Sequence, residues 1–280
     1  VLPVAPVTEN GQTGIERIAA AFEPVGRGRG AALMPYLMGG FPDLETSRAV
    51  AAAYVEAGAD LIELGVPYSD PLADGPVIHA AAAAALEAGV GLDDVLDLCA
   101  GLRGGPPILL MSYVNMALAR GPEGFADALL EAGAAGAIIP DLPPGEDPEL
   151  PAALADRGLP LIRFVAPTTP AERRRRLLAG ASGFIYVLAL SGVTGERQAL
   201  GAELGELVAA VREESPVPVA VGFGIGSPER AAEVGELADG VIIGSRLVRA
   251  VGEASGADAA VAEVREFLVR TRERLDAQRC

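Results

Sequence analysis

The chain has 280 residues, half of them hydrophobic, and a formal charge of −16, and all 22 of its basic residues are arginine. Such acidity argues against binding a nucleic-acid backbone, and the complete lack of lysine excludes Schiff-base chemistry with a carbonyl substrate or pyridoxal phosphate. A single histidine, His79, leaves no histidine-rich zinc site, and two cysteines, Cys99 and Cys280, make no disulfide framework.

Residues 1–13 carry little pattern and are expected to form a flexible lead-in. Residues 14–280 show no linker or composition shift and are expected to form one domain. No apolar run of membrane length and no basic-then-apolar leader is present, so a reducing cytoplasm is the expected location. A first helix spans about Gly14 to Phe22. One unit then repeats: a short apolar β-rich run, a turn-rich loop, and an alanine- and leucine-rich helical stretch. The predicted strands are Ala32–Met38, Leu61–Gly65, Ile108–Tyr113, Gly136–Pro140, Leu161–Val165, Phe184–Leu188, Val217–Gly222 and Gly240–Ile243. Helical stretches between them include Thr46–Ala57, Ile78–Ala88, Gly124–Ala132 and Pro228–Gly235, and a last helix covers about Ala257 to Ala277. Eight alternating units predict an α/β fold, a closed (β/α)8 TIM barrel with an extra N-terminal helix capping its bottom and a C-terminal helix on its flank. An open doubly wound sheet is the alternative. Pro35 lacks a ladder donor and is expected at a strand end or bulge. The run Arg173–Arg176 reads as a solvated helix face and Cys99 as core.

The second strand carries an acid, Glu63, inside the apolar run Leu61–Leu64, and a second acid, Asp74, lies on the loop leaving that strand. A buried carboxyl is costly unless paired or used, and two carboxylates near one strand end suit proton transfer. Glu63 also reads as a satisfied buried acid, and Asp74, before Gly75-Pro76, as a turn residue or helix cap. On the far side, strand seven ends in Gly222-Phe223-Gly224-Ile225-Gly226 and strand eight in Gly244-Ser245 before a short helix. Barrels of this class hold phosphates there, on glycine N–H groups and a helix N-terminus. The loop Ser191–Arg197 is glycine-hinged and polar, suited to close over a ligand.

The segment Glu63-Leu-Gly-Val-Pro-Tyr-Ser-Asp-Pro-Leu-Ala-Asp74-Gly-Pro closely resembles the signature of the tryptophan synthase alpha chain family. The resemblance extends through Met34-Pro35-Tyr36, Gly40-x-Pro42-Asp43, Leu110-Met111-Ser112-Tyr113-x-Asn115, Pro140-Asp141-Leu142-Pro143, Gly192-Val193-Thr194-Gly195 and the two glycine motifs, in family order. It implies retro-aldol cleavage of indole-3-glycerol phosphate to indole and glyceraldehyde 3-phosphate. It further implies Glu63 as general acid/base, Asp74 as partner of the indole N–H, Tyr186 as the active-site tyrosine and Thr194 as the lid residue positioning the aspartate. Gly195, Gly224, Gly244 and Ser245 would hold the phosphate; Tyr36, Met111, Tyr113, Ile138 and Phe223 would line the indole pocket. The implied partner is the beta chain, in an α2β2 complex, where pyridoxal phosphate would reside; no cofactor is expected in this chain. At Ala189-Leu190-Ser191 the sequence departs from the serine or arginine common in the family. Other readings are a stand-alone lyase releasing free indole, a non-catalytic regulatory subunit, and a sugar-phosphate isomerase barrel, whose expected lysine or histidine catalysts are missing.

Overall fold

The computed structural model describes residues 11–26, 28–189, 197–222 and 224–277, with residues 197–202 as backbone only. In chain order the elements are α1 (Gly14–Gly26), β1 (Ala32–Met38), α2 (Leu44–Glu56), β2 (Ile62–Gly65), α3 (Pro76–Glu87), α4 (Leu92–Ala100), β3 (Ile108–Met111), α5 (Val114–Arg120), α6 (Pro122–Glu131) and β4 (Gly136–Ile138). There follow α7 (Glu149–Asp156), β5 (Arg163–Val165), α8 (Ala171–Ala179), β6 (Ile185–Leu188), α9 (Arg197–Glu214), β7 (Val219–Gly222), α10 (Pro228–Leu237), β8 (Gly240–Ile243), α11 (Ser245–Glu253) and α12 (Ala257–Asp276).

The strands are all parallel, in the order β4-β3-β2-β1-β8-β7-β6-β5. The two ends of that order meet at one bridge, Ala137 with Leu161. Two hydrogen bonds make it, from Ala137 N–H to Pro160 C=O at 2.9 Å and from Ile162 N–H to Ala137 C=O at 3.0 Å. The predicted barrel is therefore present, and its β4–β5 seam is its thinnest join. This seam also explains why β4 and β5 are shorter than expected: a strand end with one paired edge has few ladder bonds to hold it.

Alternation along each strand sorts the core into two layers. Leu33, Ile62, Leu64, Leu110, Val219 and Val241 face outward to the helices. Met34, Leu61, Leu109, Ile138, Phe184 and Ala220 fill the barrel, and Ile18, Phe22 and Val25 of α1 close its bottom. The expected bottom cap is thus realised, and α1 runs one turn further than its pattern suggested. Thr13, assigned to the patternless lead-in, caps it: Glu16 N–H donates to the Thr13 hydroxyl and Thr13 N–H to the Glu16 carboxylate, a reciprocal capping box. Residues 1–10 lie outside the described residues, as does Cys280.

Pro35 corrects an expectation, for it stands inside β1. Residues Ala32 to Pro35 pair with β8, and the ladder with β2 begins only at Tyr36, so the missing donor falls where the β2 edge is not yet paired. The flank helix α12 packs on α2, α10 and α11 as expected. Its Arg272 reaches Asp60 at 3.0 Å and the Ala31 carbonyl at 3.1 Å, while Asp60 also accepts Leu33 N–H. This buried arginine–aspartate link ties α12 to the feet of β1 and β2. Cys99 is core, and burial pushes its thiol up to about 12. Among the described residues no helix is long and apolar enough to cross a membrane.

Candidate active site

Glu63 occupies the inward position between Leu61 and Gly65 on β2, in register with Tyr36 of β1 and Leu109 of β3. The same alternation that makes β2 a good strand therefore turns a carboxyl into the apolar interior. It is 1% exposed, and its Oε1 finds no hydrogen-bond partner among the described residues. Burial pushes its pKa up to about 8, so the group is mostly protonated at neutral pH. Buried carboxyls are normally hydrogen-bonded, so an orphaned oxygen on a desolvated carboxyl makes Glu63 a candidate for proton transfer.

Two tyrosines share this interior. Tyr36 and Tyr186 are buried, and their hydroxyl pKa values are raised first by that burial and then by nearby negative charge, that of Asp74 and Glu63 for Tyr36 and that of Glu63 for Tyr186. Each needs a glycine opposite. A Cβ added at Gly65 would lie 2.0 Å from the Tyr36 hydroxyl, and one at Gly222 would lie 2.3 Å from that of Tyr186. Phe164 of β5 lies against the Tyr186 ring, with centroids 4.9 Å apart. Phe164 was not singled out from the sequence, although it alternates with Ile162 and so belongs to the inner face.

Asp74 stands on the loop between β2 and α3, half-buried, one residue before the N-cap Gly75. Burial raises its pKa, opposed by the Tyr113 hydroxyl set against its carboxylate and by the charge of His79. His79 itself is exposed in the first turns of α3, the surface position expected of it. The Tyr113 hydroxyl also accepts Ala73 N–H at 3.2 Å. Its ring stacks on Tyr68 at 4.9 Å, and Asn115 donates to the Tyr68 hydroxyl at 2.9 Å. Tyr113 thus braces the loop that carries Asp74, a role that spacing alone could not show. Ile138 is fully buried inside the barrel, and Met111 touches both its cluster and the one around Tyr36. Met111 therefore links Tyr36 with Ile138, two of the other residues expected at the indole ring.

Across the mouth, Gly244 is the N-cap of α11 with no side-chain cap, so the first-turn amides of Ser245 and Arg246 point outward without intrahelical acceptors. Gly224 has φ +76°, a left-handed backbone that only glycine adopts readily, and is exposed at the end of β7. Amides without acceptors at a helix start and a glycine whose backbone is open to close approach are the elements an anion site needs. Thr194, Gly195 and Phe223 lie outside the described residues.

The family described as "Tryptophan synthase alpha chain" matches residues 22–277. Among curated proteins, the tryptophan synthase alpha chain of Synechococcus sp. (strain CC9902) is 47% identical over 241 residues, 85% of this chain and 90% of the relative. That of Novosphingobium aromaticivorans is 45% identical over 232 residues, covering 82% and 87%. Among solved structures, tryptophan synthase subunit alpha from Legionella pneumophila str. Paris superposes with a TM-score of 0.86 at 35% identity, covering 93% of this chain and 98% of that one. The aminoacrylate-bound tryptophan synthase of M. tuberculosis gives 0.82 at 36% identity, over 92% and 99%.

Proposed function

We infer the roles of these residues from the premise that this chain belongs to the tryptophan synthase alpha chain family, as its match over residues 22–277 and its relatives at 47% identity show. The chain is accordingly a carbon–carbon lyase of tryptophan biosynthesis, cleaving indole-3-glycerol phosphate to indole and glyceraldehyde 3-phosphate.

The proposed mechanism rests on one observation, the buried Glu63 carboxyl with an unpartnered oxygen and a pKa near 8. Indole is a poor carbanion, so its C3 must be protonated before the side chain can leave. Glu63, protonated at neutral pH, donates that proton to C3. Positive charge grows on the ring nitrogen, and the Asp74 carboxylate, braced by Tyr113, accepts the ring N–H and stabilises it. The bond from C3 to the glycerol carbon then breaks, its electrons restoring the indole ring. The hydroxyl on the departing carbon becomes the aldehyde and returns its proton to the Glu63 carboxylate. One proton leaves Glu63 and one comes back, so no bulk proton and no resident cofactor is required. Tyr186 and Tyr36 bound the reacting atoms, Met111 and Ile138 support the ring, and the Gly224, Gly244 and Ser245 amides take the phosphate.

We also propose a beta chain as partner. Leu72 is 86% exposed on the loop that carries Asp74, where a partner chain docked over that loop would cover it. Pyridoxal phosphate would be held by that partner, since this chain has no lysine.

The test is indole release from indole-3-glycerol phosphate, with and without a beta chain. Slow cleavage alone, rising with the partner and less so in Leu72→Ser, is the expected result. Fast, partner-independent cleavage would make it a stand-alone lyase, and no cleavage in either condition would remove the carboxylate pair from this chemistry.

A further inference from the structure

A cavity of ≈ 310 Å³ lies at the β4–β5 seam, between the strand ends, the loop that follows β5, and α8. Its walls are the outward-facing side of the seam, with Ile139, Leu142, Leu161 and Leu177, and it backs onto Phe164. None of the residues lining it is Asp or Glu, in a chain that has 38 of them. Two arginines reach it from different elements, Arg163 from β5 and Arg173 from α8.

Neither arginine has a hydrogen bond or ion pair with another described residue, whereas Arg174 and Arg176 of the same helix are paired with Glu214 and Glu172. Arg163 is half-buried, and burial alone pulls its pKa down. A guanidinium stays charged at any ordinary pH, so among the described residues its lost hydration goes uncompensated, and an anion would compensate it. The Thr169 hydroxyl accepts Ala166 N–H at 3.0 Å, which leaves its own proton free to donate.

We propose that this cavity is a second binding site, taking a small organic carboxylate with an apolar body. Its carboxylate would lie on Arg163 and Arg173 and its body against Ile139, Leu142 and Leu177. The guanidinium fork matches a planar carboxylate in two parallel bonds. The volume, at the low end of the roughly 300–1,000 Å³ of small-molecule sites, suits one ring or a branched chain. With no acidic lining, an ammonium finds no partner there, so amino acids are disfavoured relative to acids that lack the amine.

Phenylacetate is the probe, titrated calorimetrically into the full chain while an unreactive phosphorylated substrate analogue saturates the active site. Saturable binding should persist under that saturation. It should weaken at least about tenfold in Arg163→Leu and in Arg173→Gln, with indole-3-glycerol phosphate cleavage unchanged in both. Phenylalanine and benzyl alcohol should bind more weakly than phenylacetate. Displacement of phenylacetate by the analogue, equal affinity in both arginine variants, or no saturable binding in the millimolar range would each overturn the proposal. Arg173 is exposed, so its variant tests the site even if replacing Arg163 disturbs β5.

Discussion

The Tyr36 hydroxyl occupies the space in which a side chain at Gly65 would begin: a Cβ built on Gly65 would lie 2.0 Å from the hydroxyl oxygen and 2.7 Å from the ring carbon bearing it. Gly65 ends the strand that carries Glu63, and Tyr36 is the register partner of Glu63 across β1 and β2. The glycine is therefore what lets a full tyrosine stand over the acid.

Gly65→Ala tests this relationship. The added methyl must displace Tyr36 or push β1 from β2, at a stability cost of about 1–3 kcal/mol. Turnover should fall more than that cost implies, by roughly tenfold or more, because the displaced ring belongs to the site. Tyr36→Phe in the Gly65→Ala background should recover part of the stability, since it removes the nearest of the clashing atoms. Denaturant unfolding beside steady-state rates would show both effects.

Glu63→Gln should cost about 10²–10⁴-fold in kcat with substrate binding retained. The same variant reads out the buried charge. In the fold Glu63 keeps its proton up to about 8, and in the unfolded chain it ionises near the ordinary 4.5. Between these values the folded chain holds one proton more, so stability is full below the lower value and falls as pH rises, levelling above the upper one. At neutral pH the penalty is about 3 kcal/mol, and Glu63→Gln should abolish it. If the two unfolding curves show the same pH dependence, Glu63 is not the desolvated acid described above.

The acid-first scheme also fixes the shape of the rate profile. The protonated form of Glu63 starts the reaction, so kcat/KM should decline as pH rises through about 8, and this alkaline limb should vanish in the residual activity of Glu63→Gln. A flat profile through that range would assign the first proton to another group.

Asp74→Asn should cut turnover severely, because an amide cannot balance the positive charge growing on the ring nitrogen. Tyr113→Phe is the more discriminating change. It leaves Asp74 charged but removes the hydroxyl that accepts Ala73 N–H and faces the carboxylate, so a loss of about tenfold, chiefly in kcat, is expected. An unchanged rate for Asp74→Asn would return Asp74 to the role of a loop former.

Gly244→Val places a branched side chain at the start of α11. A first methyl there meets only ordinary contact, 3.7 Å from Tyr36, so the fold should survive. The bulk should instead shade the first-turn amides and raise KM for the phosphorylated substrate by about tenfold, leaving affinity for free indole intact. Equal affinity for the phosphorylated substrate would place the phosphate elsewhere.

Much of the fold was legible because each strand is a short β-rich apolar run bounded by turn residues, and eight of them in alternation with helices admit few arrangements. The errors have local causes. β4 and β5 are shorter than their apolar runs because the seam they share holds a single bridge. Pro35 fits inside β1 because that strand changes its paired edge there. Thr13-x-x-Glu16 is a capping-box pattern, and it places the start of α1 at the end of the lead-in.

By itself the sequence determined the chemical inventory: no lysine, an acid set among apolar neighbours on one strand, a second acid just beyond it, and glycine-rich turns after two later strands. These are properties of residue type and spacing, which the chain carries in any conformation. The tertiary structure decided what those groups became. The raised proton affinity of Glu63 comes from desolvation in the barrel interior, which it shares with Tyr36 of the adjacent β1 and Tyr186 of β6. The steadiness of Asp74 comes from a tyrosine hydroxyl on the next strand's loop, and the room for Tyr36 comes from a glycine on the strand beside it. Desolvation, bracing and close approach are distances between atoms far apart in the chain, and only folding sets those distances.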